Sequence, residues 1–150
     1  MPLLARARLD ALEAHPELNS RIDRDRQQLV RLPQAHLGFA ARADHGLIVP
    51  VVQNADSLSL DELATELRRL TGLARRGRLP AEHLTGGTFT LNNYGGLQVD
   101  GAAPILNDPQ AAMIGVGRIS PPRRRQPHIA EATGRLPLIS VFVLGGLGDP

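Results

Sequence analysis

The chain has 150 residues, 42% of them apolar and 21% charged, which is the composition of one ordinary folded domain and excludes a disordered segment. No apolar run approaches the roughly 18 to 20 residues needed to cross a bilayer, and no apolar stretch follows a basic start as in a secretory leader, so the expected address is the cytoplasm with no membrane contact. Cysteine is absent, which excludes a disulfide scaffold, a thiolate metal site and a cysteine nucleophile; all 17 basic residues are arginine, which lifts the isoelectric point to 10.3 although the formal charge is only +2.

In chain order, Leu3 to Ala14 reads as a short helix with Leu9 and Leu12 on its apolar side, stopped before Pro16, and the Met-Pro opening offers no cap. Arg21 to Asp23 and Gln28 to Leu32 flank a polar Arg24-Asp25-Arg26 turn and predict a hairpin. A second hairpin is expected from His36 to Ala41 and Leu47 to Val52, which surround the turn signal Asp44-His45-Gly46. Ser59-Leu60-Asp61-Glu62 then matches a capping box, and Leu60, Leu63, Ala64, Leu67, Leu70, Leu73 and Ala74 form a stripe of 3.6-residue period that ends at Arg75, Arg76 and Gly77. Thr88 to Leu91, Ala112 to Val116 and Leu138 to Leu144 are further strands, the last two with the continuous apolar character of strands covered on both faces. The whole reads as α+β, one domain over 1–150, without internal repeats.

Charge is uneven. Residues 117 to 135 hold five arginines (Arg118, Arg123, Arg124, Arg125 and Arg135) against Glu131. Beside Pro121, Pro122 and Pro127 this run reads as a solvated loop, and the absence of interleaved aromatics argues against nucleic acid. The glycine pairs at 86–87 and 95–96 match no phosphate-binding loop and read as turns, and Asp100 and Asn107 read as turn braces.

Between Pro16 and Gly117 a series of phrases resembles the catalytic domain of the 2-oxo acid dehydrogenase acyltransferases, the dihydrolipoamide acyltransferase component, which shares its fold with chloramphenicol acetyltransferase. They are Pro16-Glu17-Leu18-Asn19-Ser20, His36-Leu37-Gly38, His45-Gly46-Leu47-Ile48-Val49-Pro50-Val51-Val52, Asn54-Ala55-Asp56, Gly86-Gly87-Thr88-Phe89-Thr90-Leu91-Asn92-Asn93-Tyr94-Gly95, Val99-Asp100-Gly101 with Pro104-Ile105-Leu106-Asn107, and Ala111-Ala112-Met113-Ile114-Gly115-Val116-Gly117. They follow the family's order over about two thirds of the chain.

The resemblance implies a mixed sheet with packed helices and an acyl transfer between coenzyme A and a dihydrolipoyl group carried on a partner domain. It implies no metal, a homo-oligomeric core built from trimers, and the other components of a 2-oxo acid dehydrogenase complex as partners. The chemistry needs a base to form the attacking thiolate and donors for the oxyanion of the tetrahedral intermediate. In the family the base is the histidine of a His-x-x-x-Asp-Gly motif, and the oxyanion donor is a hydroxyl residue contributed by a neighbouring subunit, from the strand matching Thr88 to Asn93. Here Asn92 stands where many relatives carry Ser or Thr, and its side-chain amide retains a donor. On a strand Asn92 and Asn93 face opposite sides, and the alignment selects Asn92.

The histidine motif is absent: none of His15, His36, His45, His83 and His128 has Asp-Gly beginning four residues later, and Leu138 to Leu144 leads into Gly145-Gly146-Leu147-Gly148-Asp149-Pro150. His15 reads as a helix-end residue, His36 as a strand start, His45 as a turn residue, His83 as part of a short surface helix and His128 as part of the Arg-Pro loop; none has the spacing of a zinc ligand. The expectation is a partial catalytic domain, shorter than the family at both ends and lacking its general base. The alternative is a non-catalytic assembly module that associates with a full-length acyltransferase core.

Overall fold

The computed structural model describes residues 1–43, 46–94, 105–117 and, for the backbone alone, 141–145. The first helix, α1 (Pro2–Ala14), starts with proline in its first turn, where the missing N–H is not needed, and no side chain caps it. It buries Ala5, Leu9 and Leu12, and Arg6 pairs with Asp10 one turn on while donating to the carbonyl of Leu58 at 3.0 Å, which ties α1 to the start of the second helix.

That helix, α2 (Leu60–Arg75), begins at the predicted capping box: the Glu62 N–H donates to Ser59 Oγ at 3.3 Å and the Ser59 N–H donates to Glu62 Oε2 at 2.8 Å. It ends as the sequence predicts, with Gly77 left-handed at φ +63°, Gly77 N–H donating to Ala74 and Arg78 N–H to Leu73. Leu63, Leu67, Leu70 and Ala74 are buried, and each of those leucines contributes about 1.5–3 kcal/mol of apolar burial. Leu60, expected in the same stripe, is instead 37% exposed at the first position of the helix.

Both predicted hairpins are present. β1 (Ser20–Asp23) and β2 (Gln28–Arg31) pair antiparallel. The second is broken in two on each arm, into β3 (Leu37–Phe39) with β6 (Val51–Val52) and β4 (Ala41–Ala43) with β5 (Gly46–Ile48). Pro50 has no N–H to give the ladder, although its carbonyl accepts from Phe39 N–H at 3.0 Å, and the Ala40 N–H turns instead to Leu91. Of its turn, Asp44 and His45 lie outside the described residues.

A five-stranded sheet runs in the order β6-β3-β7-β8-β9, with β7 (Phe89–Asn93), β8 (Ala112–Val116) and β9 (Val141–Gly145). β3, β7 and β8 are parallel, and β6 and β9 flank them antiparallel. The parallel step from β3 to β7 requires a crossover, which α2 supplies. β7 extends two residues past the expected end at Leu91, because Asn92 and Asn93 stay in register with Gly115 and Val116. β9 includes Leu144 as expected; residues 138–140 lie outside the described set.

Alternation divides the sheet into two faces. Leu37, Phe39, Phe89, Leu91, Ala112, Ile114 and Val116 join α1 and α2 in one apolar core. Gly38, Thr90, Asn92, Met113 and Gly115 alternate with them and occupy the face away from the helices. One charge enters the core: the Arg8 guanidinium lies 4.4 Å from the Phe89 ring centroid, its Nε and Nη2 are buried without a hydrogen-bond partner among the described residues, and burial lowers its pKa. Among the described residues no helix is long and apolar enough to cross a membrane.

Candidate functional site

The site grows out of β7. Its face away from the helices carries Thr90 and Asn92, Thr88 stands just before the strand, and the two threonines are locked by buried polar partners. Thr88 Oγ1 donates to Asn19 Oδ1 at 2.7 Å and accepts from the His36 N–H, while the Asn19 amide donates to the carbonyls of Leu32 and Gln34. Thr90 Oγ1 donates to Gln110 Oε1 at 2.8 Å, and the Gln110 amide donates to the Gly87 carbonyl at 2.9 Å. On β3 beside it, a Cβ at Gly38 would stand 3.2 Å from Thr90 Oγ1 and from Val49 Cγ1, so glycine sets this close approach.

At the end of the strand the two asparagines diverge as alternation requires. Asn92 Nδ2 donates to Tyr94 Oη at 3.0 Å on the face away from the helices, and Asn93 Nδ2 reaches Met1 Sδ at 3.7 Å. The Tyr94 ring covers Gly115 on β8, where a Cβ would meet Tyr94 Cε2 at 2.7 Å. Burial raises the Tyr94 pKa, and the bond from Asn92 acts in the opposite direction.

On the helix side, between α2, β4 and the end of β7, opens a cavity of about 650 Å³, lined among others by Arg42, Arg68, Thr71, Arg75, Asn92 and Asn93. The three arginines are exposed, and none has a carboxylate partner among the described residues. Arg68 donates to Thr65 Oγ1 at 3.3 Å, and guanidinium groups that no described carboxylate neutralises are, with their fork of donors, suited to phosphate or another multiply charged anion. A second cavity, about 740 Å³, lies toward the start of β7 between His36, Gly86, Gly87, Thr88 and Gln110. Its glycines form a turn packed against Gln110, with Gly86 at φ +77°.

None of the three described histidines lines the Asn92 cavity. His36 Nδ1 accepts the Asn54 N–H at 2.9 Å, and His15 Nδ1 lies 3.4 Å from Glu17. His83, expected on a surface helix, occupies a short 3₁₀ turn (Ala81–His83) with its ring tucked inward, Nδ1 3.0 Å from the Val51 carbonyl and Nε2 3.0 Å from Arg69 Nη2. The ring links α2 to β6. No group of three His, Cys, Asp or Glu among the described residues could hold a metal. His45, His128, Asp100, the Gly95-Gly96 pair, the Arg118–Arg125 run and Asp149 lie outside the described residues.

A sequence model of the 2-oxoacid dehydrogenases acyltransferase catalytic domain matches residues 1–134. The chain belongs to this family. It is similar to the dihydrolipoyllysine-residue acetyltransferase component of the Mycobacterium tuberculosis pyruvate dehydrogenase complex, 38% identical over 134 residues that make up 89% of this chain and 24% of that protein. Among solved structures it resembles the Azotobacter vinelandii dihydrolipoamide acetyltransferase, with 32% identity and a TM-score of 0.78 over 95% of this chain and 56% of that one. A serine, a histidine and an asparagine of that enzyme have been investigated for their role in its catalytic mechanism. The cubic core of a pyruvate dehydrogenase multienzyme complex matches with 31% identity and a TM-score of 0.76, over 95% of this chain and 56% of that chain. Chloramphenicol acetyltransferase, at 16% identity and a TM-score of 0.58 over 96% of this chain and 66% of that one, shares the fold alone. This acyltransferase-family chain thus spans about a quarter of the curated relative and a little over half of the solved domains.

Within this family chain, the arginines of the Asn92 cavity were not legible in the sequence. Arg42 comes from β4, Arg68 and Arg75 from α2, and only folding brings them to one mouth. The pairing of Asn92 with Tyr94 was equally hidden, although a glycine inside the apolar run Ala112 to Val116 was the one available sign that something packs closely there.

Proposed function

We propose that this chain takes part in coenzyme A-dependent acyl transfer of the 2-oxo acid dehydrogenase type, in which an acyl group passes between the coenzyme A sulfur and a dihydrolipoyl thiol carried on a partner domain. The observation that carries the reading is the cavity at Asn92, ringed by Arg42, Arg68 and Arg75, in a chain of this family. A phosphate-bearing thioester matches it: the arginines attract the phosphates, and the strand end brings hydrogen-bond donors to the acyl oxygen. In the reaction a thiolate adds to the thioester carbon, the carbonyl electron pair moves to oxygen, and it returns as the other sulfur leaves. Donors at the strand end hold that oxygen while it is negative.

The step that these residues do not supply is formation of the thiolate. His36 and His83 are engaged with the backbone, and no histidine in the sequence stands in His-x-x-x-Asp-Gly. A base supplied from outside these 150 residues completes the site, as expected for a homotrimer-based core whose sites lie between chains and which works with the other components of such a complex in the cytoplasm. The test is a coupled assay with acetyl-coenzyme A and dihydrolipoamide. Alone, the chain should turn over about 10²- to 10⁴-fold more slowly than a full-length relative. Equal turnover overturns the reading of a missing base.

The absent histidine motif favours a second reading, a non-catalytic module that joins a full-length acyltransferase core. Co-elution with such a core distinguishes it.

A further inference from the structure

The cavity of about 740 Å³ toward the start of β7 combines an apolar wall with polar groups that have not spent their donors. A Cβ at Gly38 would stand 3.2 Å from Val49 Cγ1, and one at Gly87 would stand 3.3 Å from Val51 Cγ2, so the two valines lie directly against bare backbone and form the apolar part with Leu84. The polar part is made of donors. His36 Nδ1 accepts the Asn54 N–H at 2.9 Å, which puts the ring proton on Nε2, and that N–H has no acceptor among the described residues. Gln110 is buried; its oxygen accepts from Thr90 and one amide N–H goes to the Gly87 carbonyl, which leaves the second N–H unspent. Arg21 stands opposite Gln110 in an antiparallel bridge, an arrangement that puts both side chains on one face, and its guanidinium has no partner among the described residues. Asp108, the acid among the described lining residues, is taken by Arg24 at 2.9 Å.

An apolar wall beside unspent donors and a free guanidinium selects a ligand with an apolar body and an anionic head that only accepts. We propose that this cavity binds a short aliphatic monocarboxylate, with the carboxylate on the Arg21 guanidinium and the His36 Nε2–H and the chain along Val49 and Val51. The guanidinium supplies the charge and a fork that matches two oxygens. The imidazole is already fixed by Asn54, so its N–H meets the head without further ordering of the ring. Binding here is independent of the acyl-transfer reading, which uses the arginines on the helix side.

The test is titration of the 150-residue chain with hexanoate, followed by NMR of the histidine rings. His36→Asn identifies the His36 signal by its loss; the asparagine oxygen still offers an acceptor to the Asn54 N–H, while the Nε2 donor is gone. The His36 ring should shift and saturate with a dissociation constant of about 1 mM, while the His15 ring stays unmoved. Hexanol, which keeps the chain and lacks the charge, and acetate, which keeps the charge and lacks the chain, should each bind about 10-fold more weakly or worse. Arg21 is exposed on β1, so Arg21→Gln leaves the fold intact and should weaken hexanoate by about 10-fold. A His36 ring that does not move with hexanoate overturns the site. Equal binding of hexanol, or unchanged affinity in Arg21→Gln, overturns the anionic head, and equal binding of acetate overturns the apolar wall as the seat of the chain; any of these overturns the proposal and leaves acyl transfer standing.

Discussion

Gly115 bears directly on the site although it has no side chain. Its backbone is not left-handed, so the need for glycine is one of space: a methyl group would meet the Tyr94 ring at 2.7 Å. Gly115→Ala should destabilise the fold by about 1–3 kcal/mol in urea unfolding, as overpacking of a fixed ring does, and should bring the Tyr94 phenol back toward its ordinary acidity as the ring swings outward. Arg8 is the opposite case, a charge whose Nε and Nη2 find no acceptor among the described residues. Its stacking on Phe89 recovers about 0.5–2 kcal/mol, whereas buried unpaired N–H groups cost about 1–3 kcal/mol each. Arg8→Met should therefore raise the urea midpoint, by about 1 kcal/mol in stability. Sequence reading could not reach either residue. Arg8 looks like a solvated helix residue until Phe89 is brought under it, and the pairing of Asn92 with Tyr94 depends on a strand 20 residues further along. Asn92 itself was selected by its place in a family phrase, which is information about ancestry rather than geometry.

At the scale of elements, legibility follows the range of the forces involved. α2 was readable because a capping box, a 3.6-residue stripe and a terminal glycine are all local, and only the exposed Leu60 departs. The split hairpin was not, because the break at Ala40 depends on competition from Leu91 of β7. The short surface helix at His83 was readable, but the partners of its ring were not, for the same reason: Val51 and Arg69 lie 32 and 14 residues away. The cap also has a testable pH dependence. Hydrogen bonds from the Ser59 side chain and backbone hold the Glu62 pKa below its ordinary value. A carboxylate depressed in the folded state contributes stability above its unfolded pKa and loses it as pH falls through the folded one. Ser59→Ala should cost about 1 kcal/mol at neutral pH. Thermal unfolding should show the gap between variant and parent shrinking below the ordinary carboxylate range, and a gap that persists unchanged in acid would show that Glu62 takes no part.

For the whole molecule, the family and the α+β class were legible because ordered phrases survive over long stretches, while which edges and faces are left open was not. Among the described residues the five-stranded sheet has its helices on one side, and the other side presents Gly38, Thr90, Asn92, Met113 and Gly115, with the cavity of about 740 Å³ toward the start of β7. Thr90 on that face is braced through Gln110, whose amide is in turn held by the Gly87 carbonyl. Leu47 and Ile105 stand 68% and 92% exposed at the same time, apolar surface that water covers poorly. A shaped polar face and stray apolar side chains together favour association over an isolated 16.1 kDa chain. If the chain acts as an assembly module, it should elute from size exclusion ahead of a monomer and, mixed with a full-length acyltransferase of the family, should co-elute with that core. A stable interface of this kind buries about 1,200–2,000 Å², so co-elution should survive dilution to micromolar concentration and moderate salt. Elution as a monomer in both experiments removes the module reading and leaves acyl transfer, with its base brought from elsewhere, to be decided by the coupled assay.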